Sequence, residues 1–147
     1  MFLADLLWYA TRQEQANGAL YLFIQDSVEW LDHAKGAIAN FHIVFMIQLS
    51  FHLGFMPNIE SGMSGDYFDL VDGCFAAHVP SHVHYLNKED SMRLVSLFRL
   101  DYKTMHLYTM SRMERNRCVE VILEYYKLHL PDFPEMKSFA VLQELFA

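Results

Sequence analysis

The helical period dominates the order of apolar and polar positions along the chain. Apolar residues at 2, 3, 6, 7 and 10 predict a first helix over residues 2–12. It begins with neither an N-cap nor a lead-in, which predicts further sequence upstream. Asn17 is placed to cap a second helix, with Leu20, Phe23, Ile24, Val28 and Leu31 on one face. Gln25, Asp26, Glu29 and Asp32 fall on the other. Past Gly36, the pattern predicts a long apolar helix over about residues 38–53. Gly54 stands where a left-handed C-cap is wanted, and Pro57 prevents continuation.

From 57 to 86 the helical period disappears. Residues 61–65 read as a flexible Ser/Gly stretch, and residues 67–71 and 74–77 flank Asp72-Gly73, a strong hairpin signal. Asn87 then predicts the cap of a helix over about 88–99, with Met92, Val95, Leu97 and Phe98 offered to the core. Ser111-Arg112-Met113-Glu114 is a capping box opening a helix to about 129. Pro131 and Pro134 bracket a turn, and residues 135–146 predict a last amphipathic helix through Phe139, Leu142 and Phe146. The pattern as a whole predicts one mainly α domain over 1–147, with a small β-hairpin insertion at about 57–86.

Composition sharpens this picture. A chain of 147 residues that is 53% hydrophobic must bury a large core, which excludes a disordered or fibrous protein. Two cysteines, Cys74 and Cys118, are too few for a disulfide scaffold and fit a reducing, cytoplasmic compartment. Residues 36–59 contain no Asp, Glu, Lys or Arg, long enough to span a bilayer. Asn40, His42, Gln48, Ser50 and His52 are scattered around the helical wheel, however, so some would meet lipid unsatisfied. A central helix enclosed by its neighbours is the better reading.

Candidate chemistry is sparse. Cys74, His78, His82 and His84 carry zinc-ligating side chains within eleven residues, an alternative that would make this a small metal-binding or catalytic domain. The paired-cysteine knuckle is missing, and solvated loop histidines are expected instead, with no metal or other cofactor. Asp66, Asp69 and Asp72 lack the glycine and terminal glutamate of a calcium loop and read as a solvated acidic loop. No nucleophile elbow, phosphate loop or His-Glu-x-x-His occurs, so an enzyme is not expected.

Charge is more informative. The net charge of −7 argues against general nucleic-acid binding. Yet residues 88–117 hold Lys88, Arg93, Arg99, Lys103, Arg112, Arg115 and Arg117 against Glu89, Asp90, Asp101 and Glu114, seven cations to four carboxylates, or +3. Phe98, Tyr102 and Tyr108 are interleaved with them. Such a segment suits a phosphate backbone, or an acidic peptide with an apolar end. The polar faces of two ordinary helices would look the same. Arg112 and Arg115 stand out because they fall near a helix N-terminus, which also favours an anion.

Several strings then resemble one family. Ala39-Asn40-Phe41-His42-Ile43-Val44-Phe45, Leu53-Gly54-Phe55-Met56-Pro57-Asn58 and Tyr67-Phe68-Asp69-Leu70-Val71-Asp72-Gly73 resemble the C-terminal helical domain of the RecO recombination mediators. The stretches 123–133 and 138–146, with Leu130-Pro131-Asp132-Phe133-Pro134, are similar to Bacteroidetes-type members. The resemblance runs in order over nearly the whole chain. It implies DNA repair and recombination, strand annealing and recombinase loading. The partners it implies are DNA, a RecR-type protein and the acidic, phenylalanine-ended tail of single-strand-binding protein. The resemblance covers the family's helical domain and not its N-terminal OB-fold, which weakens the expectation of DNA contact by this piece. A stand-alone scaffold without mediator activity is a further alternative. Only Cys74 remains at the position of the family's zinc finger, so a metal-free hairpin is expected there. By this resemblance, Arg93, Arg99, Lys103, Arg112 and Arg115 are the expected dock for the acidic tail.

Overall fold

The computed structural model describes residues 2–11, 18–36, 38–60, 67–130 and 133. The predicted Asn17 cap, the 61–65 stretch, Asp66 and the helix at 135–146 lie outside the described residues. Among those described are helices α1 (Phe2–Thr11), α2 (Gly18–His33), α3 (Phe41–Leu53), α4 (Lys88–Phe98) and α5 (Arg112–His129). Strands β1 (Tyr67–Asp69), β2 (Cys74–Ala76) and β3 (Tyr85–Leu86) lie between α3 and α4. The mainly α reading with a small β insertion therefore holds.

Helix α3 is the axis. Phe41, Ile43, Val44, Phe45, Met46, Ile47, Leu49 and Ser50 are all buried, around its circumference rather than along one stripe. Such a helix is stable only when enclosed, and it packs on α1, α2, α4 and α5. Leu3 and Leu6 of α1, Leu20 of α2 and Val119, Ile122 and Tyr126 of α5 complete the main core. At only 13 residues, α3 falls short of a bilayer's thickness, and no described helix is long and apolar enough to cross a membrane. Gly54 ends α3 at φ +90°, and the amides of Gly54 and Phe55 donate to Phe51 O and Ser50 O. This is the expected left-handed stop.

Two apolar residues assigned to the core from spacing face solvent instead. Val28 of α2 is 44% exposed, because α2 turns Ser27 and Trp30 toward Tyr102. Met92 of α4 is 60% exposed, because the helix buries Ser91, Leu94 and Leu97. Helix starts follow the capping signals more closely. Asn87 accepts from the Asp90 amide at 2.8 Å, and Ser111 Oγ accepts from the Glu114 amide at 3.1 Å.

The insertion is a three-stranded antiparallel sheet in the order β2-β1-β3; β3 had no signal in the hydrophobic pattern. Asp69 pairs with Cys74, so the turn spans residues 70–73 rather than the two residues Asp72-Gly73. The cause is Asp69 itself, whose Oδ1 accepts from the amides of Val71 (2.9 Å) and Asp72 (3.1 Å). Its carbonyl accepts from the Gly73 amide at 2.8 Å, closing a wider turn. Gly73 sits at φ +68°, and a Cβ there would lie 2.9 Å from the Tyr125 hydroxyl. Phe68, Leu70 and Leu86 pack with Leu94, Val121 and Tyr125 in a second core that joins the sheet to α4 and α5.

Asp69 was expected in a solvated acidic loop, yet it is buried. Burial pushes its carboxyl up, but the amides of Asp72 and Val71 and the His82 ring outweigh this and hold it below the ordinary value. His82 Nε2 lies 3.0 Å from Asp69 Oδ1, while its Nδ1 accepts from the His84 amide at 3.0 Å.

Two consequences are measurable. The Tyr126 hydroxyl donates to the Met46 carbonyl inside the main core. Tyr126→Phe should cost about 1–2 kcal/mol in denaturant unfolding, and Tyr126→Ala about 3–5 kcal/mol because it also opens a cavity. Because the native Asp69 carboxyl is depressed, ionised Asp69 favours the folded state above its ordinary pKa. That contribution fades as pH falls through the depressed value. Asp69→Asn should therefore be less stable than the parent at neutral pH, and melting curves of the two should converge in acid.

Candidate functional site

The positive segment folds into α4, the loop 99–111 and the first turns of α5. Two ion-pair contacts fix how α4 and α5 run. Arg93 lies 3.9 Å from Glu114, and Arg117 lies 3.5 Å from Asp90. Partner numbers fall on α5 as they rise on α4, so the helices are antiparallel. The C-terminal end of α4, and Arg99 just beyond it, is thereby directed toward the start of α5.

The loop is held despite its polar sequence. Asp101 Oδ1 accepts from the amides of Lys103 (2.9 Å) and Thr104 (2.8 Å) and from the Thr104 hydroxyl (3.0 Å). The Thr104 bonds, followed by the Lys103 amide and charge, keep this carboxyl below its ordinary value. Tyr102 packs against both Trp30 and Phe41, with ring centroids 5.0 and 5.1 Å away, and its hydroxyl donates to Ser27 Oγ at 2.7 Å. Burial pushes its phenol up to about 12, against the opposing pull of Ser27. Asn40, immediately before α3, donates through Nδ2 to Met105 O at 2.9 Å and Tyr108 O at 2.8 Å. It ties the loop's 3-10 turn, Met105–Leu107, to the central helix.

The five predicted contact residues occupy different environments in this frame. Arg93 is half-buried and faces Glu89 (3.8 Å), Asp90 (3.7 Å) and Glu114 (3.9 Å), so its charge is matched within the fold. Arg99 and Lys103 are exposed along the loop. Arg112 is exposed on the first turn of α5. Arg115 Nη1 donates to Met110 O at 2.7 Å, and the side chain lines a cleft of about 160 Å³ with Asn40, Met105, Tyr108 and Met110. Leu107 and Met113, 72% and 82% exposed, bring apolar surface to the same segment. The arrangement can hold an anion and an apolar group side by side.

The alternative Cys74/His78/His82/His84 cluster is dispersed. His78 is exposed, His82 meets Asp69, and His84 Nδ1 lies 2.8 Å from Glu124 Oε1. No group of three or more His, Cys, Asp or Glu that could hold a metal forms among the described residues. His82 and His84 strap the sheet, together with His129, whose Nε2 donates to Leu70 O at 2.8 Å.

Three anchors escaped the sequence reading. Asn40 stands where a helix cap belongs, but its amide reaches across to the loop. Tyr102 read as part of a charged surface. Ser27 falls on the apolar stripe of α2, in line with Leu20, Ile24 and Leu31, but a serine carries no apolar signal of its own. Only the 3.6-residue spacing of Leu20, Ser27 and Trp30 hinted at the true buried face.

Comparison with known proteins agrees with this fold. The family described as "Recombination protein O C terminal" matches residues 1–138. The DNA repair protein RecO of Phocaeicola vulgatus is 46% identical over 147 residues, covering 100% of this chain and 61% of its own. That of Bacteroides fragilis is 47% identical over 147 residues, with 99% and 61% covered. That of Porphyromonas gingivalis strain W83 is 33% identical over 148 residues, with 99% and 60% covered. The chain thus spans about three-fifths of the length of the curated relatives it matches. No solved structure matches it. With its helical core, small sheet insertion and family match from residue 1 to 138, the chain belongs to the RecO C-terminal family.

Proposed function

We propose that this chain serves DNA repair and homologous recombination as the protein-docking part of a RecO-type mediator. Its relatives carry the name DNA repair protein RecO. In this reading the α4–α5 surface receives the acidic, phenylalanine-ended tail of single-strand-binding protein. A RecR-type protein is a second partner, and DNA contact is accessory. The protein does no bond-making chemistry of its own.

The observation that carries the reading is the company kept by Arg112. It is exposed at the N-terminal end of an 18-residue helix, whose dipole adds to its charge. Exposed Met113 and Leu107 supply apolar surface for a ring. Arg99 and Lys103 extend the positive surface along an anchored loop. Arg115 contributes from the cleft wall. Arg93, matched by three carboxylates, contributes by holding α4 against α5.

A fluorescent acidic peptide ending in phenylalanine tests this directly. Arg112→Glu should weaken binding at least tenfold, since it removes one charge and opposes the peptide with another. Arg115→Glu should also weaken it, but it breaks the bond to Met110 O, so its melting temperature must be compared with the parent's. If both variants bind the peptide as tightly as the parent, the assignment fails.

A further inference from the structure

A second surface lies between α2 and α3. A groove of about 490 Å³ is lined by Leu22, Phe23, Asp26 and Trp30 of α2, by Gln48 and His52 of α3, and by Tyr102. Its walls are fixed by ring stacking: Phe23 on His52 at 4.5 Å, and Trp30 on Tyr102 at 5.0 Å. Along α2 the lining recurs at 19, 22, 23, 26, 27 and 30. That stripe is about 16 Å long, or three helical turns. Leu22 is 58% exposed, and Phe51, 64% exposed, packs edge-on to His52 beside the groove.

The formal charges on the helices are all of one sign, and Lys103 follows Tyr102 only on the loop side. Helices α1, α2 and α3 carry Asp5, Asp26, Glu29 and Asp32, and no lysine or arginine. Asp26 is in the lining itself. These carboxylates repel a phosphate backbone and equally repel the acidic peptide assigned to the α4–α5 surface. The groove therefore needs an occupant of opposite character.

We propose that the groove binds a basic amphipathic helix of a partner protein, about three turns long. Its apolar stripe lies on Leu22, Phe23 and Trp30, and its Lys and Arg side chains lie beside Asp26 and Glu29. A helix fits where an extended peptide does not. The backbone amides and carbonyls of α2 and α3 are consumed in their own ladders and offer a strand no hydrogen bonds. A cleft between two helices instead receives the ridges of a third.

The test uses the intact chain and three fluorescent probes. One is a helical peptide of about 14 residues with Leu and Trp at i, i+4 and i+7 and lysine elsewhere. The second replaces its lysines by glutamate, and the third is a single-stranded oligonucleotide. The lysine peptide should bind, more weakly as salt rises. Asp26→Lys should weaken it about fivefold or more, and Leu22→Asp about tenfold or more. Both positions are exposed, so unchanged melting temperatures would show that the fold is intact. Arg112→Glu should leave this affinity unaltered, which separates the inference from the docking of the acidic tail. Equal binding of the glutamate peptide, displacement by the oligonucleotide, or indifference to both groove variants would overturn it. So would self-association of the chain that Leu22→Asp abolishes while the lysine peptide fails to bind.

Discussion

The enclosure of α3 is the constraint on which the rest of the structure depends. A helix without a single Asp, Glu, Lys or Arg, buried around most of its circumference, has little face to give to water. Helices α1, α2, α4 and α5 must therefore surround it, and the polar groups at its ends must be handled within the protein. Gly54 and the amides after it close one end. Asn40 stands at the other, and because its side chain is buried, its amide protons must find acceptors. They find Met105 O and Tyr108 O, sixty-five and more residues away. One buried polar group thus fixes the loop that separates α4 from α5.

That fixation bears on function. The loop 99–111 is polar and carries the exposed Arg99 and Lys103, the composition of a segment that would otherwise fray. It is pinned three times: by Asp101 within its own turn, by Tyr102 against two aromatic rings, and by Asn40 from below. Each pin removes conformational freedom before any partner arrives. A charged surface on such a loop loses less entropy on binding than one on a free loop.

Local chemistry made some features legible in the sequence and tertiary contacts hid others. Asn87, Ser111 and Gly54 act within one or two turns of where they stand, and each does what its residue type predicts. The hairpin was visible in Asp72-Gly73, but its width was not. That width depends on Asp69, whose carboxylate binds the turn amides and faces a histidine thirteen residues on. Strand β3 is two residues long and forms only because β1 offers it an edge, so no periodicity could announce it. Val28 and Met92 show the limit of the apolar stripe. Spacing says which residues share a face, but Tyr102 and the second core decide which way the helix rolls. The basic segment at 88–117 was plain from counting. That Arg93 and Arg117 meet carboxylates across the α4–α5 contact, and that Arg99, Lys103 and Arg112 are exposed, follows only from the tertiary structure.

The net charge of −7 conceals a division of the surface. Carboxylates without cations occupy α1–α3, while the margin of α4–α5 is positive. Tyr102 belongs to both regions: its hydroxyl and ring meet Ser27 and Trp30 at the acidic groove, and its backbone lies between Arg99 and Lys103. The same packing that rigidifies the basic loop also builds one wall of the groove. Two surfaces of opposite sign sharing a rigid element can hold two partners of opposite charge without competition for the same contacts. Were each surface to bind the partner proposed for it, each would also repel the other's ligand, and such sorting would follow from Coulomb's law without a conformational change.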